Sequence, residues 1–422
     1  MLTAVERGEG FAADLLRAQD PPFVRELVLG VLRRRLTLDT IHDAFGKRPI
    51  AELDEPIRHA VRLGLHQLVF LDGVPAHAAV GETVGAVRLA SHRAYVNGLL
   101  RGVQREMRRV TPDRDRGGAS PRKRFERAGR AVFFFSKPVF CDPERNLARY
   151  LAEIHSHPEF LVQAWLDTVG ETDCVARLEA GNRTPPLIVR PRRGRASAAE
   201  LVEALAAEGV PAGLFAREAG EPAVQIAGPA RALFASRTWR AGRCSVQDPR
   251  QMDAVELLDP QPGERIWDAC AAPGGKTAQI AECLRGQGEL LATDVSEGRL
   301  ERVREGLERL GLSAGVTLSS HDLTSGVPPS GAPAEGFHAI LLDAPCSNSA
   351  VLDRRPEARW RLSAEHITQL AVEQSRLIEA ARAQLAPGGR LVYAVCSHEP
   401  EEGSAHGLAT TRSPFVFTER RA

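Results

Sequence analysis

Two cysteines lie directly after apolar runs of the kind that form buried strands. Cys346 belongs to the stretch "LLDAPCS" (residues 341–347), and Cys396 belongs to "YAVCS" (residues 393–397). A cysteine thiolate is a strong nucleophile that can add to an electron-poor ring carbon. A lone cysteine is more often a buried structural residue. Two Cys-Ser pairs at two strand ends favour the chemical interpretation, and spacing alone does not say which thiol attacks.

A glycine-rich loop, "DACAAPGGKT" (residues 268–277), stands between a predicted strand and a predicted helix. Gly274 and Gly275 let the backbone approach a ligand closely, and the helix start offers unpaired N–H groups. The loop matches neither GxxxxGK[ST] nor GxGxxG. It therefore suits a nucleoside cofactor that has no pyrophosphate. Lys276 adds a cation beside the predicted pocket and is a candidate catalytic residue.

Three aspartates follow later predicted strands. Asp294 lies about twenty residues after the glycine-rich loop, where an acid can bind both hydroxyls of a ribose. It could also cap the helix that follows it. Asp322 could accept a hydrogen bond from an adenine amino group, although a loop aspartate is usually a turn former. Asp343 stands at the end of the strand that precedes Cys346.

The elements that must position these residues begin near residue 241. Near-continuous apolar strands alternate there with helices, which predicts an α/β, Rossmann-like domain over 241–422 with a parallel sheet covered on both faces. Ligands of such sheets bind outside the carboxyl ends of the strands. The unusual residues all fall at predicted strand ends, namely Asp268, Cys270, Asp294, Asp343, Cys346 and Cys396.

Three further segments are predicted upstream. Residues 1–110 show helical spacing throughout and predict an all-α bundle. Residues 111–145 are predicted to be a basic linker, because 111–138 hold eight Lys or Arg against three acids. That segment could be a solvated tether or a contact for phosphate. Residues 146–240 mix helices with short strands and predict a small α+β module.

The composition excludes several classes of protein. The seven cysteines are scattered without CxxC pairs, which argues against a disulfide framework and against a zinc site. The chain has no apolar run of about 18 residues and no signal-peptide pattern. These observations predict a cytoplasmic, soluble protein without a membrane segment or a metal. The net charge of +1 says nothing about partners.

These motifs together resemble the RNA (cytosine-5) methyltransferases that use S-adenosylmethionine. The stretches "DACAAPGGKT", "ATDVS", "LLDAPCS" with "RRPEARW", and "LVYAVCSHEPEEG" occur in the family's order and spacing. "SVQDPRQM" and "HSHPEFLVQAWL" resemble the bacterial branch that modifies 16S ribosomal RNA. Residues 20–105, notably "RLGLHQLVFLDGVPAHAAVGETV", resemble the NusB-like RNA-binding bundle fused in front of that branch.

The resemblance implies methyl transfer to carbon 5 of a cytosine in 16S rRNA through a covalent cysteine adduct. It gives the attack to Cys396, the release of the adduct to Cys346, and a hydrogen bond to the base to Asp343. It also implies the residues that hold S-adenosylmethionine: Cys270, Ala271, Ala272, Pro273, Gly274, Gly275, Lys276, Asp294, Asp322 and Asp343. The expected partner is RNA, and the protein is expected to act as a monomer.

Two departures from the family pattern leave alternatives open. Asn348-Ser349-Ala350 stands where the family often has Gly-Thr-Gly. The segment after Cys396 reads as a loop with one strand at "FVF", which predicts an incomplete sheet. A catalytically impaired RNA-binding assembly factor is therefore one alternative. A cytosine-5 methyltransferase that acts on tRNA is another, because the NusB-like bundle favours rRNA only by analogy.

Overall fold

The structure is a computed structural model that describes residues 1–16, 20–115, 117–127 and 129–421. Contacts among these residues divide the chain into two compact units. The first unit comprises Met1–Thr184 together with Val351–Ala364, and the second comprises Pro185–Ala350 together with Glu365–Ala422. The predicted module over 146–240 is therefore shared between the units, because its helices up to residue 180 pack into the first one.

Helices dominate the first unit, as the spacing of its apolar residues predicted. Within the described residues they are α1 (Leu2–Glu6), α2 (Ala12–Leu15), α3 (Pro22–Phe45), α4 (Glu55–Phe70), α5 (Ala76–Ala86), α6 (Ala90–Glu106), α7 (Leu147–His155) and α8 (Glu159–Ala180). A proline at the first turn of α3 is compatible with a helix start. The predicted stripe of α4, which includes Ile57, Val61 and Leu65, is buried in a cluster shared with α3 and α6.

Residues 111–145 differ from the predicted linker, because part of this segment is an antiparallel sheet. Its strands in the described residues are β1 (Met107–Val110), β2 (Arg124–Arg127) and β3 (Ala131–Phe135), in the order β1-β3-β2. Phe125 and Phe133 are buried in the same cluster as the helices. Burial of these large rings outweighs the basic composition of the segment. Arg116 and Ala128 lie outside the described residues.

Segment 351–364 belongs to the first unit although its sequence neighbours belong to the second. Its Arg359 is fully buried, and burial lowers the pKa of this guanidinium well below its usual range. The acceptors of its hydrogen bonds are the carbonyls of Arg33, Ser156, Gly181 and Leu352 and the side-chain oxygen of Asn182. Ser156 and Gly181 follow α7 and α8, so Arg359 satisfies carbonyls at two helix ends.

Replacing Arg359 with alanine is expected to lower the free energy of unfolding of the first unit by about 3 kcal/mol, because buried carbonyls would lose their donor. Urea unfolding of the full chain, followed by hydrogen exchange of α7 and α8, measures the effect. Arg183→Ala is the matched control, since Arg183 is exposed and pairs with Glu179 on the surface. Its expected change stays within about 0.5 kcal/mol. Equal changes in the two variants would contradict the assigned role.

The second unit begins with a small sheet flanked by short helices. Its strands in the described residues are β4 (Leu187–Pro191), β5 (Ala212–Phe215), β6 (Ala223–Ile226) and β7 (Cys244–Val246), in the order β5-β6-β4-β7. Its helices are α9 (Ala198–Ala207), α10 (Ala230–Ala235) and α11 (Arg237–Arg240). The Ser197–Glu200 spacing forms a capping box at the start of α9, as predicted.

A large sheet follows, which confirms the predicted α/β, Rossmann-like fold. The described residues contribute seven strands: β8 (Arg265–Asp268), β9 (Glu289–Asp294), β10 (Val316–Ser320), β11 (Phe337–Asp343), β12 (Leu385–Ala394), β13 (Ala409–Thr410) and β14 (Val416–Arg420). Their order is β10-β9-β8-β11-β12-β14-β13. The first five strands in this order, β10, β9, β8, β11 and β12, are parallel to one another. The helices of this part are α12 (Pro249–Leu258), α13 (Gly275–Leu284), α14 (Glu297–Leu310) and α15 (Ala364–Ala383).

Alternate residues of the central strands enter two different apolar clusters, as expected for a sheet covered on both faces. The segment after Cys396 corrects the prediction of an incomplete sheet. It provides β14, which pairs antiparallel with β12 along Arg390–Ala394, and also β13. The strand predicted at "FVF" overlaps the start of β14, whereas the two-residue β13 was missed.

Candidate active site

The predicted site residues meet at one edge of the large sheet. Because β9, β8, β11 and β12 are parallel neighbours, their carboxyl ends point the same way. Asp268 ends β8, Asp294 ends β9, and Asp343 ends β11. Cys396 follows β12 by two residues. The chain therefore brings the acidic and thiol side chains of four strands to one edge, as the sequence predicted.

The two cysteine turns are in direct contact. The backbone N–H of Cys396 donates a hydrogen bond to Cys346 Sγ at 3.2 Å. A hydrogen bond from the Cys346 thiol lowers the pKa of Cys396, and the nearby Lys276 and Arg250 cations lower it further against the effect of burial. The same hydrogen bond, together with burial, raises the pKa of Cys346 well above its usual range. The two opposite pKa shifts thus favour ionisation of Cys396 before Cys346.

Lys276 and Asp343 form a buried ion pair beside the thiols. Lys276 Nζ donates to Asp343 Oδ2 at 2.6 Å. Burial of Lys276 lowers its pKa, but the hydrogen bond to Asp343 and the charges of Asp343, Cys396 and Asp268 together outweigh burial, and the net pKa is raised. The lysine therefore stays cationic, and its charge acts on Cys396.

A cavity of about 500 Å³ lies against the glycine-rich loop. Residues 270–271 and 273–276 line it together with Asp268 and Asp343, and Trp239, Val246 and Gln251 also contribute to its lining. Asp268 is fully buried; its Oδ2 accepts from Thr277 Oγ1 at 2.7 Å, whereas its Oδ1 has no hydrogen-bond partner among the described residues. Burial raises the pKa of this carboxyl to about 7.

The loop itself has the conformation that its glycines require. Gly274 has φ +99°, and a Cβ there would come within 3.0 Å of Val303 Cγ1. The residue must therefore be glycine for α14 to pack against the loop. Gly275 begins α13 directly after it, so N–H groups of the first turn lie next to the cavity.

Asp294 and Asp322 are placed differently from the cavity residues. Asp294 is buried and accepts hydrogen bonds from the N–H groups of Ala272 at 3.3 Å and Ser296 at 3.1 Å. It thus holds the glycine-rich loop and the start of α14. Asp322 is exposed and accepts from the N–H and hydroxyl of Thr324, which is the turn-forming alternative. Neither aspartate lines the cavity beside Asp268.

Sequence reasoning missed three residues at this edge. Arg250, in α12, donates to the carbonyl of Ala350 at 2.9 Å and contributes a cation toward Cys396. Val295 leaves 67% of its surface exposed immediately after Asp294, which is unusual for an apolar residue at a strand end. Glu402 is fully buried and bonds to both cysteine turns. These three residues lie in the motifs "SVQDPRQM", "ATDVS" and "LVYAVCSHEPEEG", which could have drawn attention to them. The contacts that the three residues make depend on tertiary packing, which the motifs do not reveal.

No group of three or more His, Cys, Asp or Glu side chains among the described residues could hold a metal ion. None of the helices that these residues form is long and apolar enough to cross a membrane.

The order of the large sheet and its glycine-rich loop define the class of S-adenosylmethionine-dependent methyltransferases. The family model described as 16S rRNA methyltransferase RsmB/F matches residues 255–407, and the model of the NusB family matches residues 4–105. The chain belongs to the family of ribosomal RNA small subunit methyltransferases B. That family's cofactor is S-adenosylmethionine.

Individual relatives support this membership. The protein named ribosomal RNA small subunit methyltransferase B of Klebsiella pneumoniae is 34% identical over 95% of this chain and 85% of its own length. The probable methyltransferase B of Synechocystis is 33% identical over 92% of this chain and 80% of its own. The crystal structure of a methyltransferase homologue from Pyrococcus horikoshii is 25% identical, with a TM-score of 0.55, and covers 66% of this chain and 99% of that one.

Proposed function

We propose that this protein transfers a methyl group from S-adenosylmethionine to carbon 5 of a cytosine in 16S rRNA, and that Cys396 forms a covalent adduct with the base. The observation that carries the proposal is the thiol pair: the backbone N–H of Cys396 donates to Cys346 Sγ, and the Cys346 thiol lowers the pKa of Cys396. Membership of the small subunit methyltransferase B family supports rRNA as the substrate.

The attack uses the Cys396 thiolate. Carbon 5 of cytosine is too weak a nucleophile to take a methyl group unaided, so the thiolate first adds to carbon 6 and forms a C6–S bond. The ring then becomes enamine-like, and its carbon 5 can attack a methyl electrophile. The Lys276–Asp343 pair supports this step, because its cation stabilises the thiolate and its carboxylate can accept a hydrogen bond from the base. The base must leave its stack to reach Cys396.

Release needs a base and then the departure of Cys396. Once Cys396 is alkylated, the two influences of its thiolate that raise the pKa of Cys346 disappear, namely the hydrogen bond and the negative charge. Cys346 then ionises more readily and can accept the carbon-5 proton. Loss of that proton returns the electron pair to the ring and breaks the C6–S bond, which frees Cys396 and the methylated base.

The residues around the cavity fit the cofactor. S-adenosylmethionine, when bound, supplies the electrophilic methyl group. We propose that the loop of residues 270–276 and Asp343 contact its methionyl part and that Asp294 and Asp322 bind its ribose and adenine. The unpartnered Asp268 Oδ1 supports a site for the methionyl ammonium. The exposed Val295 offers an apolar surface for the adenine ring.

Asp268 makes cofactor binding dependent on pH. Its pKa of about 7 means that the carboxylate, which binds an ammonium, predominates above pH 7 and is lost as pH falls. The Kd for S-adenosylmethionine, measured by titration calorimetry, is expected to rise up to about tenfold per pH unit below pH 7. In the Asp268→Asn variant, the Kd for S-adenosylmethionine should be higher than in the native protein and should not change with pH. A native Kd that is unchanged between pH 5.5 and 8 would contradict this role.

Labelled S-adenosylmethionine and small subunit rRNA that lacks the modification test the function. Label is expected at carbon 5 of cytosine after digestion to nucleosides, with bulk tRNA unlabelled. Label in tRNA alone would favour the tRNA alternative. The proposal would be overturned if the label were found at a position other than carbon 5, or if the rRNA acquired no label. The pairing of β14 with β12 weakens the impaired-enzyme alternative, because that alternative was based on an incomplete sheet.

The exact boundaries of the segments 1–110, 111–145, 146–240 and 241–422 stay predictions, although the second contains strands and the third is divided between the two units. The monomeric state is likewise a prediction. We propose that the NusB-like region contacts the RNA, as its family membership suggests.

A further inference from the structure

Glu402 is a fully buried carboxylate that reaches both turns carrying the cysteines. Its Oε1 accepts a hydrogen bond from the N–H of Ser347 at 2.8 Å, and its Oε2 accepts from the Ser397 hydroxyl. Ser347 follows Cys346 in the sequence, and Ser397 follows Cys396. One side chain therefore ties together the residues that come directly after the two thiols.

Other polar contacts close this arrangement into a network. Gln374 of α15 donates through Nε2 to Glu402 Oε1 and to the carbonyl of Pro345, at 2.9 Å each. The hydroxyls of Ser347 and Ser397 lie 3.0 Å apart. The Tyr393 hydroxyl donates to the Glu402 carbonyl at 2.7 Å. Each partner of the carboxylate thus holds one of the two turns or the helix packed against them.

We propose that Glu402 is a positioning residue for the methyl transfer: it fixes the spacing of the two thiols and keeps their shared proton on Cys346. The inference rests on the proposed function, because it requires Cys396 to be the nucleophile. Glu402 bonds to the serines that follow the thiols, so it acts on the reaction through its neighbours.

The charges around the thiols agree with this assignment. Glu402 acts on Cys346, where its negative charge adds to the Cys396 hydrogen bond and to burial in raising the thiol pKa. The other titratable groups that face the pair or Glu402 are Asp343, Lys276, Arg250, Tyr393 and His406. Lys276 and Arg250 lower the pKa of Cys396, and Asp343 raises it. Glu402 is the group among them that is bonded to both turns.

The test uses Glu402→Gln, which keeps the shape of the side chain and removes its charge. Each thiol is titrated by its rate of alkylation with iodoacetamide against pH, and mass spectrometry reads the two peptides separately. In the native protein, Cys396 is expected to react from a lower pH than Cys346. In Glu402→Gln the two titrations should converge, and kcat for rRNA methylation should fall about 10- to 100-fold while KM for rRNA stays within about twofold.

Glu401→Gln is the matched control, because Glu401 is the exposed neighbour in the sequence. In this variant, the alkylation of Cys346 and Cys396 should depend on pH as in the native protein, and kcat for rRNA methylation should be unchanged. If Glu402→Gln does not fold, as judged by circular dichroism, Glu402→Asp replaces it. That variant keeps the charge and should keep the order of the two titrations while lowering kcat.

Two results would overturn the inference: a Glu402→Gln protein that titrates and turns over like the native one, or a folded Glu402→Asp protein in which the order of titration is lost. These results differ from a failure of the proposed function. That failure would appear as undiminished methylation by Cys396→Ala, whereas the thiol titrations need neither RNA nor cofactor.

Discussion

Replacing Cys346 with alanine is expected to leave the protein joined to its RNA by a bond that survives a denaturing gel. Cys396 loses one of the influences that lower its pKa in this variant, but Lys276 and Arg250 still lower it, so its thiolate can still add to carbon 6. Removal of the carbon-5 proton loses its base, so release should slow by about 10²- to 10³-fold. Denaturing gels of the protein incubated with labelled rRNA and S-adenosylmethionine measure the fraction of covalently trapped RNA against time.

Cys396→Ala is the opposite case and should form no such adduct, with methylation reduced by at least about 10³-fold. Cys283→Ala is the control, because Cys283 lies in α13 and bonds to Arg193 rather than to the site. It should neither trap RNA nor lose activity. An adduct with Cys396→Ala and none with Cys346→Ala would transfer the attack to Cys346.

Replacing Lys276 with methionine is expected to have the second largest effect. The variant loses the cation that lowers the pKa of Cys396 and that pairs with Asp343. The pKa of Cys396 should rise, and the acid limb of the pH profile of kcat should move to higher pH, because methylation requires the thiolate. The rate at pH 7 should fall by about 10²-fold, since a fixed charge at the reacting group is also lost.

Two variants make this result specific. Lys276→Arg keeps a cation and should leave the acid limb closer to its native position than Lys276→Met does. Lys47→Met removes an exposed lysine of the first unit and should change neither the limb nor the rate. If the acid limb of the pH profile of kcat does not move in Lys276→Met, Lys276 does not stabilise the nucleophile.

The sequence was sufficient to locate the site because its strands are apolar and parallel. In such a sheet the residue after each strand must emerge at a common edge, so Asp268, Asp294, Asp343 and the cysteines could be grouped from their spacing. The division of roles was not available from the same pattern. It depends on how each thiol shifts the pKa of the other, and on the hydrogen bond from the Cys396 N–H to Cys346 Sγ, which joins turns fifty residues apart.

Three parts of the fold were missed for a related reason. The strands β1 to β3 lie in a basic, glycine-rich stretch, and their register is set by burial of Phe125 and Phe133 among helices. The two-residue β13 carries too little periodicity to be recognised without its partner β14. Segment 351–364 belongs to the first unit because Arg359 finds carbonyls from distant helix ends. Each of these features depends on contacts between residues that are distant in the sequence, and local sequence patterns do not reveal such contacts.

The central claim is that Cys396 attacks carbon 6 of a cytosine, and rRNA containing 5-fluorocytosine tests it most directly. Fluorine cannot leave carbon 5 as a proton does, so the methylated adduct is trapped on the native protein. After digestion with trypsin and nuclease, mass spectrometry identifies the cysteine that carries the nucleotide. We predict a nucleotide on Cys396, with methyl and fluorine both on carbon 5. A nucleotide on Cys346, or no cross-linked peptide although the protein methylates unsubstituted rRNA, would contradict the account.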